Sequence, residues 1–239
     1  MTVQELLQAG KLPEAIQLLA TEVRDRPDDA RRRTFLFELL CFAGDYGRAE
    51  KHLSLLSDSN ADAAMGALMY RSALSAERKR QLFFDEKKYQ GAAEISKFRS
   101  GTLNGEKFNS IEDIDPRIGP RLEVFIAGEY VWLPFAHIGS LTMEEPRYLR
   151  DLLWASATVT AGPTMEGKDF GEVLMPILYP HTSTHERDSV KLGRETDFVL
   201  AKEDPIEVPY GQKLFVLDEE RSIAILEIRS LQFDDSVQS

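Results

Sequence analysis

Near the start of the chain a short motif returns after 34 residues. Ala9-Gly10-Lys11-Leu12-Pro13-Glu14-Ala15 recurs as Ala43-Gly44-Asp45-Tyr46-Gly47-Arg48-Ala49. Leu6 maps onto Leu40 and Leu19 onto Leu53 at the same offset. The residue types explain the spacing. Gly10 and Gly44 fall where a helix must stop, since glycine takes the left-handed conformation without a Cβ clash. Ala15 and Ala49 are small where the following helix must pack closely on the one before it.

This period and punctuation are those of a tetratricopeptide-like helix–turn–helix unit. Asp25-Arg26-Pro27-Asp28-Asp29 breaks the pattern with capping acids, and residues 57–62 break it again one period later. Between the breaks Phe35, Leu36, Leu39, Leu40 and Ala43 keep helical spacing, as do Met65, Leu68, Met69, Ser72 and Ala73 afterwards. Five or six helices are expected over residues 2–88. Two copies are few for a solenoid, so a third helix pair or the other half must complete the packing. Such stacks hold extended peptides or helices, which makes Phe35, Leu39, Phe42, Tyr70 and Arg32 the candidate partner contacts. The bland alternative for each aromatic is core. The basic runs Arg31-Arg32-Arg33 and Arg78-Lys79-Arg80 read as solvated helix faces.

Residues 89–120 loosen, with Gly91, Gly101, Asn104, Gly105 and Asn109. A short helix is expected over Ala92–Phe98 and a connector over the rest. Beyond it the period changes to two. Arg121–Ile126 and Tyr130–Phe135 flank a glycine turn as a β-hairpin that ends at Pro134. Val173–Tyr179, Lys213–Leu217 and Ser222–Arg229 are further strands, the last two joined by the turn Asp218-Glu219-Glu220-Arg221, and Arg147–Trp154 holds a helical turn. The expected class is α+β, with a helical domain over 1–88, a connector over 89–120 and a β-rich domain over 121–239. Charge divides the same way. The first 88 residues balance 14 basic against 14 acidic residues, so the net charge of −11 lies wholly in the remainder. That acidity argues against a nucleic-acid binder.

The second half resembles the ImpE/TagJ family of type VI secretion accessory proteins. The resemblance rests on Asp113-Ile114-Asp115-Pro116-Arg117-Ile118-Gly119-Pro120, then Gly128-Glu129-Tyr130-Val131-Trp132-Leu133-Pro134-Phe135. It continues through Pro146 and Leu149–Trp154, the Leu178-Tyr179-Pro180 strand end, Lys191–Asp197, Gly211-Gln212 with Phe215, and Leu226–Arg229. Asp115, Arg117, Gly119, Pro120, Tyr130, Trp132, Pro134, Arg150, Asp151 and Trp154 carry it as structural motif residues. The stretch from Arg78 to Gly105 is shorter than in the family. The resemblance implies a non-enzymatic scaffold that binds the small contractile-sheath subunit through an exposed helix of that subunit. It also implies a link to the AAA+ ATPase that recycles contracted sheath, and no cofactor.

The residues offer one rival chemistry. His181 and His185, with Glu186 and Asp188 nearby, have the spacing of a zinc pair on a helix and would suit a metal-dependent hydrolase. However, Pro180, Thr182, Ser183 and Thr184 make the segment a loop, and Thr182 stands where the zinc motif needs Glu. Glycines 162–171 lack phosphate-loop spacing. Asp115 or Asp113 is expected to pair with Arg117, Arg150 is expected to pair with Asp151 beside Trp154, His52 and His137 read as packed or surface residues, and Cys41 reads as core. A peptide-binding adaptor unrelated to secretion is the third reading. The single cysteine excludes an internal disulfide. No signal peptide is visible, and residues 124–143 carry a hairpin's glycines and proline where a membrane span would need an unbroken helix, so a cytoplasmic location is expected.

Overall fold

A computed structural model describes residues 1–57, 61–91, 99–165, 170–201 and 206–234. The helical half comprises α1 (Val3–Gln8), α2 (Leu12–Asp25), α3 (Ala30–Phe42), α4 (Tyr46–Ser57) and the long α5 (Ala61–Asp85). A four-residue helix, α6 (Asp188–Lys191), lies in the second half. The expected helix over 92–98 and part of the break over 57–62 lie outside the described residues.

Both repeat glycines close their helices in the same way. Gly10 (φ +69°) donates to the Leu7 carbonyl and Lys11 to Leu6, while Gly44 (φ +71°) donates to Cys41 and Asp45 to Leu40. This paired bonding satisfies the orphan carbonyls of a helix end, and it needs the left-handed residue at its pivot. Ala15 and Ala49 are fully buried, as are Leu19 and Leu53.

Thirteen strands follow among the described residues: β1 (Gly101–Leu103), β2 (Glu106–Phe108), β3 (Ile111–Asp113), β4 (Arg121–Ile126), β5 (Glu129–Pro134), β6 (Ile138–Met143), β7 (Trp154–Ala161), β8 (Gly171–Pro176), β9 (Thr196–Leu200), β10 (Glu207–Gly211), β11 (Leu214–Leu217), β12 (Arg221–Ala224) and β13 (Ser230–Phe233). Eight form an antiparallel sheet in the order β2-β1-β13-β6-β7-β8-β4-β5. A three-stranded sheet, β12-β11-β3, and the hairpin β9-β10 complete the half.

Two expectations are corrected here. The segment 101–113 is no connector, because β1 pairs with β13 and β3 pairs with β11, which ties it into the last third of the chain. Ser222–Arg229 is not one strand. A helical turn at Ile225–Glu227 splits it, sending β12 to the small sheet and β13 to the large one. The hairpin β4-β5 stands as read, in register from Arg121↔Pro134 to Ile126↔Glu129.

Alternation along β4 and β5 gives the sheet two different faces. Leu122, Val124 and Leu133 point into the core of the β-rich half, beside Val159, Met175 and Phe215. Phe125 points the other way and joins the core of the helical half with Trp154, Leu153 and Leu192. Tyr130 and Trp132, also on that face, hold the Phe83 ring of α5 at 5.5 and 5.0 Å between centroids. The third repeat position therefore packs on a sheet, where a further helix pair would otherwise be needed.

Candidate partner-binding surface

The sheet face against α5 carries a buried ion cluster. Arg80, from a run read as solvated, is 1% exposed. Its Nε donates to Glu123 Oε1 at 2.8 Å and its other nitrogens reach Glu77 (3.2 Å) and the Leu178 carbonyl (2.8 Å). Lys213 Nζ lies 2.6 Å from Glu123 and 2.5 Å from Asp113. Tyr130 and Tyr179 donate to Glu123 and Asp113, and Trp154 Nε1 donates to Glu77 at 3.2 Å. Burial alone would raise the pKa of Glu123, but Arg80 and Lys213 outweigh it and hold the carboxyl below its ordinary range. Burial wins at Asp113, pushing it up to about 6 against the pull of Lys213. With hydrogen bonds on every member, the cluster clamps α5 to β4 and β11.

The family-type motif residues support this clamp. Asp115, fully buried, accepts the Arg117 backbone N–H (3.0 Å), Nε (2.9 Å) and Nη2 (2.6 Å). The Arg117 guanidinium lies over Phe84 of α5 at 4.9 Å. Gly119 (φ +61°) and Pro120 turn the chain into β4, where Arg121 lies over the Trp132 ring at 5.0 Å. Pro134 ends β5. Arg150 Nε approaches Asp151 at 3.4 Å, half-exposed, while Asp151 accepts the backbone N–H groups of Arg147 and Tyr148. Asp115 is thus the partner of Arg117, and Asp113 belongs to Lys213. The cleft of about 830 Å³ beside Arg117 is lined by both charge signs, Glu112 and Glu219 as well as Arg117 and Arg121, which favours no single ligand chemistry.

His181 and His185 flank a helical turn at Thr182–Thr184, so the same-face geometry of a helical pair does not arise. His185 is spent at both nitrogens: Nδ1 accepts the Arg187 N–H at 3.1 Å and Nε2 faces Asp197 at 3.1 Å. His181 lies 3.6 Å from Asp85, and burial lowers its pKa. Among the described residues no group of three or more His, Cys, Asp or Glu side chains is placed to hold a metal ion. No described helix is long and apolar enough to cross a membrane.

The expected partner contacts are partly corrected. Leu39 and Phe42 are buried in the helical core, at 0% and 1% exposure, and face no partner. Phe35 is half-buried against the same core. Tyr70 donates to the buried Glu38 (2.9 Å) and meets Phe37 edge-on at 4.9 Å. Arg32 is held by Glu22 and Asp29. Arg33, from the other basic run, is buried and donates to the Pro27 carbonyl at 2.5 Å.

Among the described residues of the helical half, an exposed apolar row and a groove stand out. On α5, Met65, Leu68 and Met69 form an exposed row at 63%, 54% and 59%. Along α2 runs a groove of about 640 Å³. Leu12, Ile16, Ala20 and the α3 end residue Ala43 form its floor, of which Leu12 and Ile16 are buried at 1% and 9% exposure, while the exposed Pro13, Gln17, Thr21 and Arg24 with Arg48 and Lys191 complete the lining. The floor recurs every four residues on one stripe of α2, the spacing at which side chains share a helix face. That stripe was a signal present in the sequence and unread there.

Comparison with known proteins agrees with this architecture. The family model described as ImpE protein matches residues 105–232, and a tetratricopeptide repeat model matches residues 6–71. The type VI secretion system accessory component TagJ of Pseudomonas aeruginosa is 30% identical over 98% of this chain and 92% of its own length. A crystal structure of protein VPA1032 from Vibrio parahaemolyticus superposes with a TM-score of 0.85 at 24% identity, covering 98% of each chain. A helical repeat clamped through α5 onto a motif-bearing sheet, matched along nearly the whole length, places the chain in the ImpE family.

Proposed function

We propose that this chain is a non-catalytic adaptor of a type VI secretion system. It holds the small contractile-sheath subunit by an exposed helix of that subunit and links it to the AAA+ ATPase that recycles contracted sheath, from a cytoplasmic position. The observation that carries the reading is the groove along α2. From Leu12 to Arg24 it follows about 18 Å of helix at 1.5 Å per residue, enough for about three turns of a partner helix, and its lining holds both apolar and charged residues. Helix-in-groove recognition needs that arrangement, since the apolar stripe of the incoming helix replaces water on the floor while the rim sets its direction. The role of the Pseudomonas aeruginosa relative as a type VI secretion system accessory component supports the assignment. The spent ring nitrogens of His185 disfavour the hydrolase reading.

The test is co-purification of the full chain with a small contractile-sheath subunit of a type VI secretion system from the same organism. Retention of the folded subunit at micromolar concentration is the expected result. Its absence, with both proteins folded, refutes the adaptor reading.

A further inference from the structure

We infer that the outer edge of β9 is a pairing surface on which two copies of this chain join, strand to strand and antiparallel, as a two-fold dimer. The inference goes beyond the adaptor reading and does not depend on it.

Three observations converge. The first is which edges the chain guards. An edge strand offers unpaired backbone groups to any other strand, and charged residues or prolines blunt that offer. Lys107 on β2, Glu112 on β3, Pro134 on β5, Pro209 on β10 and Arg221 on β12 stand in the other edge strands of the described sheets. β9 reads Thr-Asp-Phe-Val-Leu. Its one charge, Asp197, is held by Arg187 at 2.6 Å and His185 at 3.1 Å. The next three residues are apolar and exposed, Phe198 at 40%, Val199 at 41% and Leu200 at 64%.

The second is the direction of the backbone groups. β9 pairs with β10 from Thr196↔Gly211 to Leu200↔Glu207, and one step beyond, Ala201 N–H donates to the Ile206 carbonyl at 2.9 Å. Successive residues of an antiparallel strand turn these groups to alternate sides. Asp197 and Val199 therefore bond β10, while Phe198 and Leu200 turn theirs outward. Two details agree. Phe198 lies opposite Pro209, which has no N–H to give, and its own N–H reaches its neighbour's side chain, Asp197 Oδ1, at 3.1 Å. That bond is local and exposed, so a partner carbonyl can take its place. Among the described residues no strand pairs with this outer side.

The third is that the strand matches its own reverse. Two antiparallel copies centred on Val199 set Phe198 against Leu200 of the second copy, Val199 against Val199, and Leu200 against Phe198. The outward groups of Phe198 and Leu200 then exchange hydrogen bonds, and each exposed apolar side chain meets another. Asp197 falls opposite Ala201, so no like charges stand face to face. Centring on Phe198 instead would set Val199 against Asp197 and Leu200 against Thr196 and lose these matches. A self-matching strand makes an isologous contact, which closes at two copies. With five residues on each side, the contact is smaller than the roughly 1,200–2,000 Å² of lasting interfaces, so the dimer is expected to form and part with concentration.

Sedimentation equilibrium of the full chain is expected to show monomer giving way to dimer between about 10 µM and 1 mM. Val199→Lys and Val199→Glu, each checked for an unchanged melting temperature, are each expected to abolish the dimer by setting like charges together on its axis. Their equimolar mixture is expected to restore it, because opposite charges then meet. In the unaltered chain, amide exchange at Phe198 and Leu200 is expected to slow as concentration rises, while Val199, bonded to β10 in both states, does not change; this measurement needs no variant. Monomer throughout the range leaves the edge to a strand of another protein and overturns the dimer. A dimer that both variants leave intact, a loss that mixing does not rescue, a ladder of larger sizes, or unchanged exchange at Phe198 and Leu200 also overturns it.

Discussion

The two halves meet along two seams, and the same residue types do opposite things in them. Under α5, Arg80, Glu123, Lys213, Asp113 and Glu77 are all less than a tenth exposed and bonded to one another. At the end of α1 and the start of α2, Asp188, Lys191 and Arg194 reach across at the surface, through a cap, a rim cation and two carbonyl contacts. Removing one partner from the buried seam strands a charge in a poor solvent, which costs about 3–5 kcal/mol. Removing one from the second seam, where the Lys191 and Asp188 side chains are 19% and 17% exposed, leaves its partner nearer to water, and the cost is expected to be smaller. The first seam therefore fixes α5 on the sheet, and the second positions the end of α1 and the start of α2.

The largest expected effect comes from breaking the buried seam. Arg80→Met leaves Glu123 with Lys213 and strands part of Glu77's bonding, so unfolding free energy in urea is expected to fall by about 3–5 kcal/mol. Replacing Glu123 by Met as well removes the stranded carboxylate and is expected to recover part of that loss. A single variant that melts like the unaltered protein would mean that the cluster does not clamp α5.

The same cluster makes a prediction in pH. Asp113 has an ordinary value of 3.8 and is pushed up to about 6 by burial, so the folded chain holds a proton there that the unfolded chain has released. Stability contributed at this site therefore falls as pH rises from about 4 to about 6. Glu123 works in the opposite sense: burial opposes its ionisation, but Arg80 and Lys213 overcome that, so its contribution is present above its ordinary 4.5 and lost on acidification. Asp113→Asn is expected to flatten the descent between pH 4 and 6 while leaving the acid limb intact, read as urea midpoints across that range.

How much of this was legible in the chain follows from where each signal is local. The repeat, its two glycine stops and the β4-β5 hairpin were readable because the bonds they predict span a few residues. Arg80 and Lys213 were not. Arg80 stands in Arg78-Lys79-Arg80, whose other two members do reach outward, to Glu50 and to Glu129, and only tertiary packing separates it from them. Glu123 offered a faint clue as a lone carboxylate inside the apolar run Leu122–Ile126. Strand β3 was missed because it is three residues long and pairs with β11, about 100 positions away, while β1 pairs both with distant β13 and, across the Asn104-Gly105 turn, with β2, a local signal left unread. Strand β7, Trp-Ala-Ser-Ala-Thr-Val-Thr-Ala, alternates small residues with polar ones and falls below the contrast that periodicity needs. The α2 groove was hidden for a related reason: its charged wall comes from Lys191.

The repeat glycines set a smaller test. Both hold positive φ, so alanine at either is expected to cost about 1–2 kcal/mol from the backbone alone. They differ in surroundings. A Cβ at Gly10 meets nothing within 4 Å, while one at Gly44 comes within 2.4 Å of Ser183 Oγ, in the loop that runs into the second half. Gly44→Ala is therefore expected to cost more than Gly10→Ala, and Ser183→Gly is expected to recover only the excess. Equal costs would place the loop farther from the second repeat.

The smallest effect distinguishes a cap supplied locally from one supplied across the fold. In the second repeat Asp45 caps its own helix, accepting the Arg48 N–H at 3.1 Å. The equivalent residue of the first repeat is Lys11, which makes no such bond, and Asp188 fills the place from 176 positions away. Asp45→Ala and Asp188→Ala are each expected to cost about 1 kcal/mol. Hydrogen exchange separates them: Asp45→Ala speeds exchange at the first turn of α4 alone, whereas Asp188→Ala speeds it at the first turn of α2 and also frees Lys191 from its 3.1 Å partner. The wider footprint of the second variant would show that the 188–191 turn holds the start of α2 from across the fold.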